Sequence, residues 1–212
     1  VPEDAEADLT ALLTRLRNEA GLDVFVVASP AAITIQFASR AELQRLEPAA
    51  SCFVAPNASS LTEYRAKRGT APLDWRGLTH RERMAIFVPY DTSPQEVRDC
   101  LHEELAQAMG PLNDLFRLPD SVFNDDNFNT VLTGFDMLML RAYYAPDLQS
   151  GMNEAEAELD ELVLDLVERL LAEVAVFEHF RLGLHRELAH RGDVRVVEAV
   201  RGADGEFDLV HA

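Results

Sequence analysis

The sequence predicts a mixed fold, α/β or α+β, built on a small sheet. Three observations carry that expectation. Short apolar runs of strand length alternate with segments of helical period. A capping signature opens a helix directly after the most apolar run, at Ser93, Pro94 and Glu96. No internal repeat or low-complexity tract interrupts the chain, and at 212 residues with 48% hydrophobic content it can bury a sizeable core. The expected organisation is one domain over residues 1–150. A helical extension over 151–212 ends in a β-hairpin and packs on the same domain.

In order, residues 2–19 place Leu9, Leu12, Leu13, Leu16 and then Ala20 at helical spacing. Acids come early, Arg15 and Arg17 late, and Gly21 is the expected C-terminal stop. Val24, Phe25, Val26 and Val27 read as a short buried strand. Ile33, Ile35 and Phe37 alternate with Thr34 and Gln36, the pattern of a half-buried strand. A short helix follows at 41–46, and a third strand at Cys52, Phe53 and Val54. Residues 56–83 read as a long, polar, irregular surface excursion. Residues 84–88 form the fourth strand.

The helix opened at Ser93 runs through Val97, Leu101, Leu105 and Ala108 until Gly110 and Pro111 stop it. A loop leads to a helix over 135–144. Asn153 and Glu156 cap a long amphipathic helix with Ala155, Leu159, Leu162, Leu166 and Leu170 on its apolar stripe. Its acidic face carries Glu154, Glu158, Asp160, Glu161, Asp165 and Glu168 and reads as solvated surface. A further helix spans 177–191, and the hairpin over 194–212 turns at residues 202–205.

Asp and Glu total 37 against 19 Lys and Arg, a formal net charge of -18. Such a chain repels phosphate polyanions, which disfavours nucleic acid and anionic membranes as partners, while cationic peptides and divalent ions are favoured; no nucleic-acid partner is expected. No apolar run reaches the roughly 18 residues of a membrane span. The chain opens on Val1 with no leader-type segment, so either a leader has been removed or the sequence starts within a longer protein. Cys52 and Cys100 are the two cysteines; a bridge in an oxidising compartment and two buried thiols both fit the composition.

The candidate site lies on the helix opened at Ser93. A His-Glu-x-x-His helix puts two imidazoles on one zinc with the Glu as base, and its extended form turns at a glycine to add a third ligand. In the matching register Glu103 takes the first ligand position and Glu104 the base position. Gln107, Gly110 and Asn113 take the second ligand, the turn and the third ligand. The spacing and the glycine are kept, and no imidazole occupies a ligand position. His102 does not supply one, because its partner one turn on is Ala106 and it points about 100° away from Glu103.

Residues 100–114, with Glu103, Glu104, Gln107, Gly110, Asn113 and Asp114, resemble the hallmark of a bacterial family of metzincin-like proteins of unknown function, domain-of-unknown-function family 2927. The blocks 119–126 (from Pro119 and Asp120 to Asp125 and Asp126) and 132–138 (Leu132, Thr133, Gly134, Phe135, Asp136) do so too. Ala145, Pro146, Asp147 and Leu148, then Gly151 and Met152, follow in the family's order. The resemblance covers roughly residues 20–155. It implies a zincin-like fold: a small twisted mixed sheet over an active-site-type helix, a cleft between them, and additional C-terminal helices. It also implies export to the periplasm or attachment to the cell envelope, which favours a Cys52–Cys100 disulfide. The family carries Glu-Glu-x-x-Gln where active relatives carry histidines, so zinc catalysis does not transfer to these positions.

Three functions follow from that substitution. The first is a pseudoenzyme with a degenerate zinc site, whose cleft binds a peptide or protein partner without a cofactor. The second is a metal-dependent hydrolase with Glu104 as general base. Carboxylate and amide oxygens suit Ca²⁺, Mg²⁺ or Mn²⁺ rather than zinc, and the ligands would come from Glu103, Gln107, Asn113 or Asp114. The oxygen-rich run that holds Asn124, Asp125 and Asp126 adds further ligands or, more simply, a capped turn. The third is an assembly module that docks through the acidic helix. Enzymatic activity stays open between these. Arg186, Glu187 and His190, with His185 off the shared face, imitate the zinc motif only superficially and read as a solvated helix end. Trp75, Tyr64 and Tyr90 read as core or loop-anchoring aromatics.

Overall fold

The computed structural model describes residue 2 and residues 4–27, 31–78, 81–111, 118–124, 130–146, 148, 200–201 and 207–209. Three strands make the centre: β1 (Ile33–Ala38), β2 (Phe53–Pro56) and β3 (Met84–Pro89), in the order β2-β3-β1. β1 and β3 are parallel, with Ile33 opposite Met84, and β2 is antiparallel to β3, with Phe53 opposite Phe87. On the other side of β1, β5 (Phe207–Leu209) pairs antiparallel with it and with β4 (Val200–Arg201). Among the described strands β2 is therefore a sheet edge.

The period-2 pattern of the strands sorts side chains onto two cores. Ile33, Ile35, Met84, Ile86 and Val88 face α1 (Ala5–Glu19), α4 (Pro94–Met109) and α5 (Gly134–Tyr143). Ala38, Ala55, Ala85 and Phe87 face α2 (Arg40–Leu46) and α3 (Leu61–Lys67). The sheet is thus covered on both faces. That is why β1, expected to be half-buried, also buries Thr34 at 2% exposure. α1 ends as its sequence predicts: Gly21 takes a left-handed φ of 69° and Leu22 N–H returns to the Leu16 carbonyl at 3.2 Å.

Two expectations are corrected. Residues 24–27 form no strand: Val24 is buried, but Phe25 and Val26 are 42% and 50% exposed. Arg17 holds the run to α1 instead, donating from Nη1 to the Val24 carbonyl at 2.7 Å with its guanidinium 5.4 Å from the Phe25 ring centroid. Tied there, the run has no ladder partner among the described residues. Residues 56–83 are not an irregular excursion either. Ser60 accepts from Glu63 N–H and starts α3, which buries Leu61 and Tyr64, and short 3-10 turns follow at Ala71–Leu73 and Trp75–Gly77. The cap was hidden among serines that, without their tertiary contacts, read as loop. The helices expected at 153–171 and 177–191, the turn at 202–205, and Arg186, Glu187, His185 and His190 lie outside the described residues.

Of the two readings of the cysteines, the free-thiol one is overturned: Cys52 and Cys100 form a disulfide that joins the approach to β2 to the middle of α4. It closes a loop of 48 residues. Loop-closure entropy then predicts that Cys52→Ala with Cys100→Ala lowers unfolding stability by about 4 kcal/mol. Urea denaturation of the oxidised wild type against the double variant measures this directly, and equal midpoints would show the bridge to be energetically idle.

Candidate functional site

A cleft of about 740 Å³ opens between β2 and α4. Residues 49–56 form one wall, so the strand edge itself borders the opening. Asp99, Glu103 and Glu104 of α4 form the second, and Val122, Asn124 and Thr130 the third. Glu47, Tyr64, Leu73 and Trp75 line it as well.

α4 is fixed at both ends. Ser93 Oγ accepts from Glu96 N–H while the Glu96 carboxylate accepts from Ser93 N–H, the capping box the sequence announces. Hydrogen bonds from Thr92, Arg40 and Ser93 hold the Glu96 carboxyl down at about 2. At the other end Gly110 adopts φ 150° and ψ -53°. A Cβ placed there would lie 2.3 Å from the Tyr143 ring, so the position accepts only glycine. The buried Arg81 guanidinium donates to the last-turn carbonyls of Ala108 and Met109, each at 3.2 Å, and Tyr144 OH donates to Met109 as well.

The structure separates the motif residues. Glu104 is buried, at 4% exposure, and Glu103 is half-buried; both line the cleft. Gln107 sits one turn beyond and donates from Nε2 to Glu103 Oε1 at 3.4 Å. Gly110 serves as the helix cap. Asn113, Asp114, Asp125 and Asp126 lie outside the described residues. Asn124 is buried, lines the cleft and donates from Nδ2 to the Leu118 carbonyl at 2.8 Å. Among the described residues no three His, Cys, Asp or Glu side chains converge as a metal-binding set.

His102 points away from the cleft, as its helical phase requires. Its Nδ1 accepts from Leu132 N–H at 3.1 Å, while the Leu132 carbonyl accepts from Arg15 at 2.8 Å. Burial, aided by the nearby Arg15 charge, pushes the imidazole down to about 4, so it stays neutral and holds the strap that enters α5.

Sequence reasoning missed Asp99, Thr130 and Asp136. Burial raises the Asp99 carboxyl, against hydrogen bonds from Gln95 and Thr130. Asp136 is fully buried at the start of α5 and accepts from Ser121 Oγ at 2.6 Å, Val122 N–H at 3.3 Å and Thr133 N–H at 2.7 Å. It therefore fixes the loop that carries Val122 and Asn124 into the cleft wall. The threonine three residues before it was a legible cap, but its grip on a loop 15 residues upstream was not. Of the aromatics, Tyr64 and Trp75 border the cleft, and Tyr90 is 52% exposed. Burial and the Glu47 carboxylate push the Tyr64 hydroxyl up to about 12.

A family model described as "Protein of unknown function (DUF2927)" matches residues 1–159. No curated protein and no solved structure matches the chain significantly.

Two outcomes follow from this geometry. The folded-state pKa of His102 lies below the ordinary value of 6.5, so its contribution is complete above pH 6.5 and is lost as pH falls from 6.5 to about 4, by about 3 kcal/mol at most. His102→Gln keeps an acceptor for Leu132 and does not titrate, so its urea midpoint falls less than wild type between pH 7 and pH 4.5; equal losses would refute the assignment. Gly110→Ala, driven into Tyr143 with a disfavoured φ, costs at least about 2 kcal/mol in thermal or urea unfolding.

Proposed function

The chain belongs to the DUF2927 family, and on that premise we propose that it is a non-catalytic, metzincin-like module that holds an extended peptide in the cleft between β2 and α4. One observation carries the reading: the cleft is bordered by β2, which is antiparallel to β3 and lies at the edge of the sheet among the described strands. Such an edge offers backbone donors and acceptors to an added strand, and the binding needs no metal.

The α4 motif supports the degenerate-site reading. Glu103 and Gln107 are neighbours on the face where a zincin would present imidazoles, and their oxygens are poor zinc donors. A retained hydrolase would draw on Glu104, a buried carboxylate in the cleft wall, with oxygen ligands for Ca²⁺, Mg²⁺ or Mn²⁺ from Glu103 and Gln107. The Cys52–Cys100 bridge supports residence in an oxidising compartment such as the periplasm or cell envelope.

Amide hydrogen exchange on the full chain tests the reading, with and without excess of a random 12-residue peptide pool. Exchange at residues 53–56 slows when the pool is added, and Ser51→Trp, an exposed substitution at the cleft wall, abolishes the slowing. Unchanged exchange at 53–56 would overturn peptide binding. Cleavage of the pool that disappears in Glu104→Gln would replace the pseudoenzyme reading with the hydrolase.

A further inference from the structure

We propose that Cys52 is where small thiols and dithiols enter the Cys52–Cys100 bridge, reached through the cleft, and that a peptide held on β2 shuts this route; the second half rests on the peptide-binding reading above. The two sulfurs of the bridge have different surroundings. Cys52 is half-buried, lines the cleft and comes directly before β2. Ala49, Ala50 and Ser51, which lead up to it along the same wall, are small and half-buried or exposed, so they leave its approach open. Cys100 is 4% exposed and is not among the residues that line the cleft. It belongs to the core that Val97, Leu101 and Leu105 of α4 share with Ile86 and Val88 of β3.

Thiol–disulfide exchange needs a thiolate to reach one sulfur while the other departs, so access decides which half of an asymmetric bridge is attacked. Here the incoming thiolate forms its bond to Cys52 Sγ. The bond between the two cysteines breaks, its electron pair leaves on Cys100 Sγ, and that sulfur takes up a proton. A monothiol stops there, as a mixed disulfide on Cys52. The second thiol of a dithiol attacks the reagent's own bound sulfur and releases Cys52, which takes up a proton in turn. The reagent ends as a disulfide, oxidised by two electrons, and the bridge as two thiols, each proton having come from the reagent. A thiolate departing into an apolar core is disfavoured, so the exchange is slow and re-closure fast while the fold persists.

The place of Cys52 ties this chemistry to the cleft's occupant. The empty cleft, at about 740 Å³, has room for a small thiol. Cys52 stands one residue before Phe53, on the wall that β2 continues. A strand paired along 53–56 that extends one residue past Phe53 lies over Cys52 and denies the reagent its approach. Opening the bridge in turn frees the approach to β2 from α4, the two elements between which the cleft opens. An occupied cleft thus keeps its walls joined, and an empty one leaves them open to reduction.

To test this, the oxidised full chain is exposed to excess 2-mercaptoethanol, quenched with N-ethylmaleimide and mapped by mass spectrometry. The mixed disulfide falls on Cys52, with N-ethylmaleimide on Cys100, about tenfold or more over the reverse isomer. Comparable or larger amounts of the reverse isomer overturn entry at Cys52. The rate of reduction by dithiothreitol decides the route even where re-closure leaves no mixed disulfide to trap. Entry through the cleft keeps that rate constant across the native baseline of the urea curve. A rate that rises about tenfold or more per molar of urea belongs to a bridge that opens only in unfolded molecules, and overturns the route. The same random peptide pool, added in excess, slows the reduction. Slowed amide exchange at 53–56 with an unchanged reduction rate overturns the shielding and leaves entry at Cys52 standing. If the pool slows neither, the peptide-binding reading fails and takes the shielding with it, while the isomer ratio and the urea dependence still decide entry at Cys52.

Discussion

The position of α4 against the edge strand is the constraint on which the cleft depends. A sheet edge and a helix packed beneath it would ordinarily be held by apolar contacts alone, which tolerate sliding. Here a covalent bond joins Cys52, at the approach to β2, to Cys100, one turn before the glutamate pair. The capping box at Ser93 fixes where the helix begins, and Gly110 under Tyr143 fixes where it ends. With both ends and the middle set, Asp99, Glu103 and Glu104 have little freedom in the direction they face. Mouth width and charge placement are consequences of the same three anchors.

The third wall is held by a different kind of force. Asp136 is a fully buried carboxylate whose cost is offset by donors from Ser121, Val122 and Thr133. On the opposite side of that strap, His102 and Arg15 take the N–H and the carbonyl of Leu132. The polar residues of this region thus act as positioning groups for the loop that completes the cleft. An imidazole next to two cleft-lining glutamates invites a catalytic reading, yet His102 is spent on a backbone amide and kept neutral by burial.

Legibility in the sequence followed the range of the forces involved. α1, β1, β3 and α4 were readable because their determinants are local: leucines at helical spacing, alternating β-branched residues, and a cap, proline and acid within four positions. The run at 24–27 misled because apolarity was the only signal, while its placement came from Arg17, seven residues earlier. α3 was missed because Leu61 and Tyr64 are sparse in a polar stretch, and their burial depends on Phe53 and Phe87 across the sheet. For the site, the spacing of Glu103, Glu104, Gln107 and Gly110 was visible in the helix register. The strand wall at 49–56 was not, since nothing local marks β2 as an edge.

A site is separated from a mere crevice by features that folding alone does not require. The disulfide and the capped helix stabilise the chain and need no further reason. The acids on the cleft side of α4 are different: Asp99 and Glu103 stand one helical turn apart, and burial raises the Asp99 carboxyl. Apolar or uncharged residues at Asp99 and Glu103 would leave the capping box, the bridge and the glycine stop intact, and the helix would be slightly better for it. Local conflict of that kind is a cost borne where an open strand edge of the described sheet borders the cleft.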